Sequence, residues 1–142
     1  MKFEHALKIS QHRDKVAAYF ADPSLLHHFQ DGFISKELLE GDKGKTGAKS
    51  KMIYKRLELI ETILENNLPD SFYALYEHKY TVNTMLVKFQ EQDHGSTLYI
   101  MEIEYTQFNG FFMKLMAKLM PGMFKKQVLK WMHQFKDYCE KN

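Results

Sequence analysis

Two neighbouring segments with a two-residue apolar period constrain this chain most. TMLVKFQEQ (84–92) and STLYIMEIEY (96–105) are separated by Asp93-His94-Gly95, a hairpin loop in which Gly95 can adopt a positive φ. A three-residue loop aligns the two strands so that their apolar side chains share one face. The predicted pairs are 89 with 99, 87 with 101 and 85 with 103, and the face comprises Met85, Val87, Phe89, Tyr99, Met101, Ile103 and Tyr105.

The rest of the chain adds further strands and three helical regions. Side chains that alternate between two faces over 3–9 predict a first strand. Two short helices follow this strand, and Asp22-Pro23 separates the first helix from the second. Both faces of the segment 57–67 are mixed, so its inward side stays undecided. After Phe108 the pattern is helical. The order indicates an α+β fold with an antiparallel sheet of about six or seven strands. The four remaining strands are predicted over 33–41, 48–56, 57–67 and 71–80.

The C-terminal helical region combines apolar and basic residues. Between 111 and 135 it carries five methionines, four phenylalanines, one tryptophan and five lysines. Pro121 is predicted to break or kink the helix between Met120 and Met123, because its ring clashes with the preceding turn. The second piece, 122–140, should pack across the concave face of the sheet. The lysines exclude a membrane-spanning helix, but transient contact with an anionic membrane through 111–123 stays open.

Length and composition indicate one globular domain over 1–142. The net charge of +2 gives no global field that would favour nucleic acid, so no nucleic-acid partner is expected. Cys139 is the only cysteine, which excludes an intrachain disulfide and favours a reducing compartment. The start, MKFEHALKIS, lacks the apolar run of an export signal. A cytoplasmic location is therefore expected, and the oligomeric state is not indicated.

These features together resemble the START/Bet v 1-like (SRPBCC) superfamily, of the polyketide cyclase/dehydrase and lipid-transfer type. The resemblance implies a helix-grip fold, in which a curved antiparallel sheet wraps around a long C-terminal helix and encloses a hydrophobic cavity. It implies no catalytic residue, and fold alone leaves the function open. The segments that carry it are the opening strand, ADPSLLHHF, LLEGDKGKTGAKSKMIY, NLPDSF, DHG and the helix ending FKDYCEK.

Residue choice and this resemblance predict a ligand-binding cavity between helix and sheet. A rigid core favours Leu, Ile and Val, whereas methionine and aromatic side chains suit a surface that fits varied apolar shapes. The expected ligand is lipid-like, isoprenoid or a flat aromatic, in a volume of ~300–1,000 Å³. The predicted lining is Tyr54, Tyr76, Met85, Val87, Tyr99 and Met101 from the sheet, with Met116, Met120, Met123, Phe124, Val128 and Trp131 from the helices.

Two other functions stay open. In a cyclase or dehydratase, His78, Glu61 and Tyr76 would act as acid, base or hydrogen-bond donor, because desolvation shifts the pKa of a group in a dry pocket. In a protein-interaction module of the chaperone-activator kind, the basic C-terminal helix would dock an acidic partner. If the chain has that function, we expect its core to be filled and an apolar patch to be exposed on its surface.

No metal or cofactor is expected. His27 and His28 are adjacent on a short helix, whereas ligation from a helix usually uses positions i and i+4. The glycine-rich segment 41–50 differs from a phosphate loop, because Ala48 separates its last glycine from the lysine and a strand follows.

Overall fold

The computed structural model describes residues 1–142 and has the predicted α+β helix-grip architecture. Its strands are β1 (Lys2–Ile9), β2 (Phe33–Glu40), β3 (Lys49–Tyr54), β4 (Leu57–Asn67), β5 (Ser71–Glu77), β6 (Thr81–Gln92) and β7 (Ser96–Phe108). Its helices are α1 (Arg13–Ala21), α2 (Leu26–Phe29), α3 (Phe111–Leu119) and α4 (Gly122–Lys141). A 3-10 turn at Pro23–Leu25 precedes α2, and another at Asp93–Gly95 joins β6 to β7.

All seven strands form one antiparallel sheet in the order β1-β7-β6-β5-β4-β3-β2. The strands from β2 to β7 follow one another as a meander, and β1 pairs with β7 at the far edge. Because β1 and β2 lie at opposite edges, the short helices between them must cross the width of the sheet. They pack on β6, β7 and α4 and close one end of the concave face.

The β6–β7 hairpin has the predicted register. Phe89 pairs with Tyr99, and the next inward pairs along the hairpin are 87 with 101 and 85 with 103. His94 and Gly95 both adopt left-handed backbone conformations, with φ of 63° and 68°. A Cβ added at Gly95 would lie 2.7 Å from the ring of His12, and together with the positive φ this favours glycine there. The seven residues of the predicted face are buried or half-buried beneath the helices.

Phe135 of α4 lies at the centre of the packed core. Its ring centroid is 4.8 Å from that of Phe29, 5.5 Å from Tyr99, 6.1 Å from Phe20 and 6.4 Å from Phe89. Most of these rings meet edge to face, an arrangement that aromatic quadrupoles favour. The other buried helical residues of this region are Val16, Ala17, Leu26, Met132 and Cys139.

Polar contacts fix the C-terminal end of α4 to the first strand. Lys136 Nζ donates to the carbonyl of Lys8 at 2.8 Å, and the backbone N–H of Ser10 donates to Glu140 Oε2 at 2.8 Å. Lys136 and Glu140 also form an ion pair at 2.9 Å. This end of α4 is therefore held both by the aromatic core and by β1.

The predicted break at Pro121 is present. α3 ends at Leu119, α4 begins at Gly122, and Met120 has non-helical φ and ψ of −136° and 59°. Proline lacks an N–H and disfavours helical conformation in the residue before it, which accounts for the break at Met120. None of the helices combines the length and the apolar character that crossing a membrane requires.

We expect Phe135→Ala to lower the free energy of unfolding by ~3–5 kcal/mol, because it removes a ring surrounded by four others. The measurement is urea unfolding followed by circular dichroism. Phe112→Ala is the matched control. Phe112 is 70% exposed on α3, so its truncation should change the stability by less than ~0.5 kcal/mol. Equal effects of the two substitutions would show that α4 does not pack as described.

Cys139 should react with a disulfide reagent only after unfolding. The residue has no exposed surface, and burial together with the nearby Glu140 raises the pKa of its thiol to about 12. Because the thiolate is the reactive form, modification near pH ~8 should be at least ~1,000-fold slower than in guanidinium-unfolded protein. Comparable rates in the two states would contradict the packing of the α4 C-terminus.

Candidate functional site

A cavity of about 820 Å³ lies between the N-terminal half of α4 and the concave face of the sheet. Every strand except β1 contributes to its wall, and 24 of its 36 lining residues are hydrophobic. α4 contributes five residues to the wall before reaching the packed core at Phe135. They are Met123, Phe124, Gln127, Val128 and Trp131.

The sheet bends away from α4 because several strand pairs contain irregularities. Register shifts occur between β2 and β3, between β4 and β5, and between β6 and β7. A bulge adds a residue to one strand, which bends that strand and increases its twist. With the C-terminal half of α4 packed against the sheet, this curvature leaves open space beneath the N-terminal half.

The structure brings nine of the twelve predicted lining residues to the cavity wall. Val87 lies instead in the packed core beneath the helices, with no exposed surface. Met116 lies on the half-buried side of α3, and Met120 is exposed at the helix break. The helical spacing of α4 does not extend through Pro121, so the positions of Met116 and Met120 could not be predicted from it. The nine are Tyr54, Tyr76, Met85, Tyr99, Met101, Met123, Phe124, Val128 and Trp131.

A bulge decides the inward face of β4, which the sequence left open. From the turn the pairs run 67 with 71, 66 with 72 and 65 with 73, but the next pair is 63 with 74. Regular pairing would have turned Thr62 and Leu64 inward. The shift by one residue reverses the faces beyond it. The β4 residues that line the cavity are Leu57, Leu59, Glu61, Ile63 and Asn66.

One buried carboxylate forms the polar centre of the cavity wall. Glu61 is 4% exposed, and its Oε2 accepts a hydrogen bond of 2.6 Å from the hydroxyl of Tyr76. Its Oε1 lies 2.9 Å from Lys36 Nζ, in an ion pair whose angles fall outside hydrogen-bond geometry. Burial, and then the charge of Glu61, raises the pKa of Tyr76, so the phenol stays protonated. Sequence reasoning missed Lys36, although its inward position follows from its pairing with buried Met52.

An aromatic pair joins α4 to β3 beside the cavity. Tyr54 and Trp131 stack with centroids 5.0 Å apart, and the Tyr54 hydroxyl donates to Gln30 at 2.7 Å. The indole N–H of Trp131 donates to the carbonyl of Asp31 at 3.3 Å, and Lys130 forms an ion pair with the Asp31 carboxylate at 2.6 Å. Burial raises the pKa of Tyr54, which therefore remains a donor.

The histidines have separate surroundings. His78 lines the cavity, but its Nδ1 accepts the backbone N–H of Tyr80 at 3.2 Å. Burial, and then Lys79, lowers the pKa of His78, so its ring is neutral near physiological pH. His28 stacks on Tyr138 with centroids 5.4 Å apart. No three His, Cys, Asp or Glu side chains converge in a way that could hold a metal ion.

Comparisons with known proteins identify the fold. No protein-family model matches the sequence, and no curated protein matches it. A conserved protein from Geobacillus kaustophilus superposes with a TM-score of 0.79 at 12% identity, covering 99% of this chain and 96% of that one. The major latex-like protein 151 of Panax ginseng gives 0.76 at 14% identity, covering 98% and 97%.

A truncated norcoclaurine synthase from Thalictrum flavum is also similar, with a TM-score of 0.71 at 12% identity and coverage of 97% and 92%. All three align over nearly the whole length of both chains, so the likeness includes the sheet, the short helices and the C-terminal helix. At these identities it concerns the fold alone. The chain therefore shares the helix-grip fold of these proteins, as its sequence predicted.

Proposed function

We propose that this chain, acting as a single domain over 1–142, binds a small hydrophobic molecule in the cavity between α4 and the sheet. The expected ligand is lipid-like, isoprenoid or a flat aromatic, and its binding serves storage or transport. The observation that carries the proposal is the size and chemistry of the cavity: about 820 Å³ with a largely apolar wall. Ligand pockets for drug-sized molecules have this size and composition.

The cavity is too large to be a packing defect. At ~24 cal/mol per Å³, an empty space of this volume would lower the stability by roughly 20 kcal/mol. Whole domains are stable by only ~5–15 kcal/mol. In solution the space must therefore contain water or a ligand. Water gains few hydrogen bonds from an apolar wall, which favours an apolar ligand.

Methionines give the wall adaptability. A thioether side chain with three rotatable bonds can follow ligands of different shape, whereas branched aliphatic side chains hold one. This supports binding of related ligands rather than recognition of one outline. The methionines of the wall are Met52, Met85, Met101, Met113 and Met123.

The cavity has access to the surface. Leu38 at the β2 edge and Met123 at the start of α4 both line it, and both are exposed to nearly half of their area. A ligand can therefore reach the interior beside the α3–α4 junction or beside β2. The lone cysteine agrees with our proposal of a cytoplasmic location, where thiols stay reduced.

An enzyme of the polyketide cyclase or dehydratase kind is the second candidate. Glu61 and Tyr76 present a buried carboxylate and a phenol in contact, which is the material for proton transfer to an enolising carbonyl. The similar norcoclaurine synthase, by its name, is an enzyme. His78 supports this function less, because its Nδ1 already accepts a backbone hydrogen bond.

Titration calorimetry with a fatty acid, an isoprenoid quinone and a flat polyphenol tests the binding. We expect at least one of them to bind below ~100 μM, which corresponds to about −5.5 kcal/mol. Met85→Trp should weaken that binding at least tenfold, because the indole fills space that the ligand needs. Leu86→Trp is the control, since residue 86 lies one position along β6 on the opposite face.

Failure of all three ligands to bind would contradict the proposal, and equal binding by both tryptophan variants would place the ligand elsewhere. If a ligand is consumed, and Glu61→Gln abolishes turnover while binding persists, the chain is an enzyme instead.

We also propose that the segment 111–123 contacts an anionic membrane while the cavity is loaded or emptied. Phe111 is 82% and Phe112 70% exposed, and Leu119 and Met120 are each more than half exposed. No acidic residue occurs between Glu104 and Asp137. Exposed aromatic and aliphatic side chains beside lysines are typical of segments that lie in the interface of anionic bilayers.

The same segment adjoins the cavity, because Met113 and Met123 line the wall. This continuity favours a membrane over an acidic protein partner, for which a filled core was expected. Lys114 and Lys118 on α3 form no ion pair within the protein, so their charge is available to anionic lipid headgroups.

Co-sedimentation with vesicles tests the membrane contact. We expect the protein to bind vesicles that contain phosphatidylglycerol and not vesicles of pure phosphatidylcholine, with binding that weakens as salt screens the charges. Phe111→Ser with Leu119→Ser should reduce binding at least ~100-fold, because each buried side chain is worth ~1.5–3 kcal/mol. Ile34→Ser with Leu39→Ser, exposed apolar residues of β2, should leave binding unchanged. Equal loss in both double variants would contradict the proposal.

A further inference from the structure

We infer that the ligand of this cavity carries a carboxylate, which the ammonium group of Lys36 binds. The inference rests on the proposed binding function and specifies the chemical class of its ligand: a hydrophobic carboxylic acid with an aliphatic or flat aromatic body. Three observations carry it, namely the buried ion pair in the wall, the donors that this pair leaves free, and the balance of charge around the cavity.

Stability alone does not account for the ion pair between Lys36 and Glu61. It joins β2 to β4 across β3 in an otherwise mostly apolar wall, and the side chain of Glu61 is almost fully buried. Burying two charges costs free energy that their attraction often fails to recover, so apolar residues of similar volume would serve stability as well. A buried pair that lines a cavity therefore points to a role in contacting what the cavity holds.

The geometry makes Lys36, and not Glu61, the group that meets the ligand. Glu61 Oε2 accepts from the Tyr76 hydroxyl at 2.6 Å. Glu61 Oε1 has almost no accessible surface, which prevents a ligand donor from reaching it. The Lys36 side chain is 23% exposed and lies against Oε1 at 2.9 Å without an aligned hydrogen bond. At least two of its three N–H donors are therefore available, so the wall offers donors to a ligand acceptor.

Glu61 and Tyr76 act as positioning residues for this ammonium. Tyr76 stands directly opposite Glu61 on β5, and Ser50 stands opposite it on β3, so the sheet register fixes the carboxylate in place. The fixed carboxylate in turn draws the flexible lysine side chain to one position in the wall. A preorganised ammonium loses less conformational entropy when a ligand binds than a free lysine would.

The charge of the wall favours an anion over a neutral acceptor. The charged residues that line the cavity are Lys36, Lys43 and Glu61, and His78 is neutral because its pKa is lowered. The lining therefore carries a net charge of +1, which one carboxylate compensates. Hydrogen bonds between an ammonium and a carboxylate in a partly dry site are stronger than those to an uncharged oxygen.

Matched ligand pairs test the inference by titration calorimetry at about pH 7.5, where a carboxylic acid is ionised. The pairs are dodecanoate with dodecan-1-ol, and 2-naphthoate with 2-naphthylmethanol, which share a hydrophobic body and differ in the polar end. For at least one pair we expect the wild-type protein to bind the acid about tenfold more tightly than the alcohol. Lys36→Met should abolish that difference by weakening the acid, while Lys36→Arg should retain it.

Lys51→Met is the matched control. Lys51 also forms an ion pair with a glutamate of the adjacent strand, Glu58 at 3.2 Å, but it does not line the cavity. Its replacement should leave the preference for the acid intact. Because Lys36→Met leaves Glu61 without its counter-ion, the double variant Lys36→Met with Glu61→Leu removes both charges of the pair and keeps the net charge of the wall at +1. It should fold and bind the alcohol at least as well as the acid.

The outcomes separate the inference from the function on which it rests. Binding of acid and alcohol with equal affinity by the wild type would overturn the inference while the proposed function stands. A preference for the acid that survives in Lys36→Met and in the double variant would also overturn it. If neither member of either pair binds below ~100 μM, the inference fails, and the proposed function fails with it only if the quinone and the polyphenol do not bind either.

Discussion

The unequal anchoring of α4 is the constraint on which the rest of this structure depends. Its C-terminal half is held by the aromatic core around Phe135 and by two polar contacts to β1. Its N-terminal half begins after the break at Pro121 and touches the sheet through the Tyr54–Trp131 stack and through Phe124, whose ring meets those of Tyr105 and Phe108 on β7. Because one half is packed and the other is held at a distance by a curved sheet, the cavity is a consequence of the architecture rather than a gap in it.

The residues that stabilise the fold and the residues that surround the cavity lie in different parts of the molecule. The short helices, β1 and the end of α4 bury the large aromatic side chains. The exposed apolar surface of α3, the methionine-rich wall and the Lys36–Glu61 pair lie around the other half of the sheet. A ligand that enters beside the α3–α4 junction would thus meet adaptable methionine side chains first and a fixed polar group deeper inside.

Sequence reasoning reached the fold because its strongest signals were local and mutually consistent. The loop at 93–95 indicated a register that the seven residues of the predicted inward face follow, and Pro121 marked a helix break by its covalent structure alone. The residues of the site were harder to predict from the sequence. The bulge near Ile63 reversed the face of β4 that turn counting would give, and helical spacing could not be continued past the break to place Met116 and Met120. No signal in the sequence indicated that Lys36 faces inward, because a lysine in an edge strand usually faces solvent.

A crystal structure of the protein purified from its own host tests the central claim most directly. We predict an open space between Trp131 and Met85 that holds elongated or flat density from a co-purified molecule, with its polar end at Lys36. A structure in which the N-terminal half of α4 lies against β3, β4 and β5, with side chains filling that space and no bound molecule, would contradict the account.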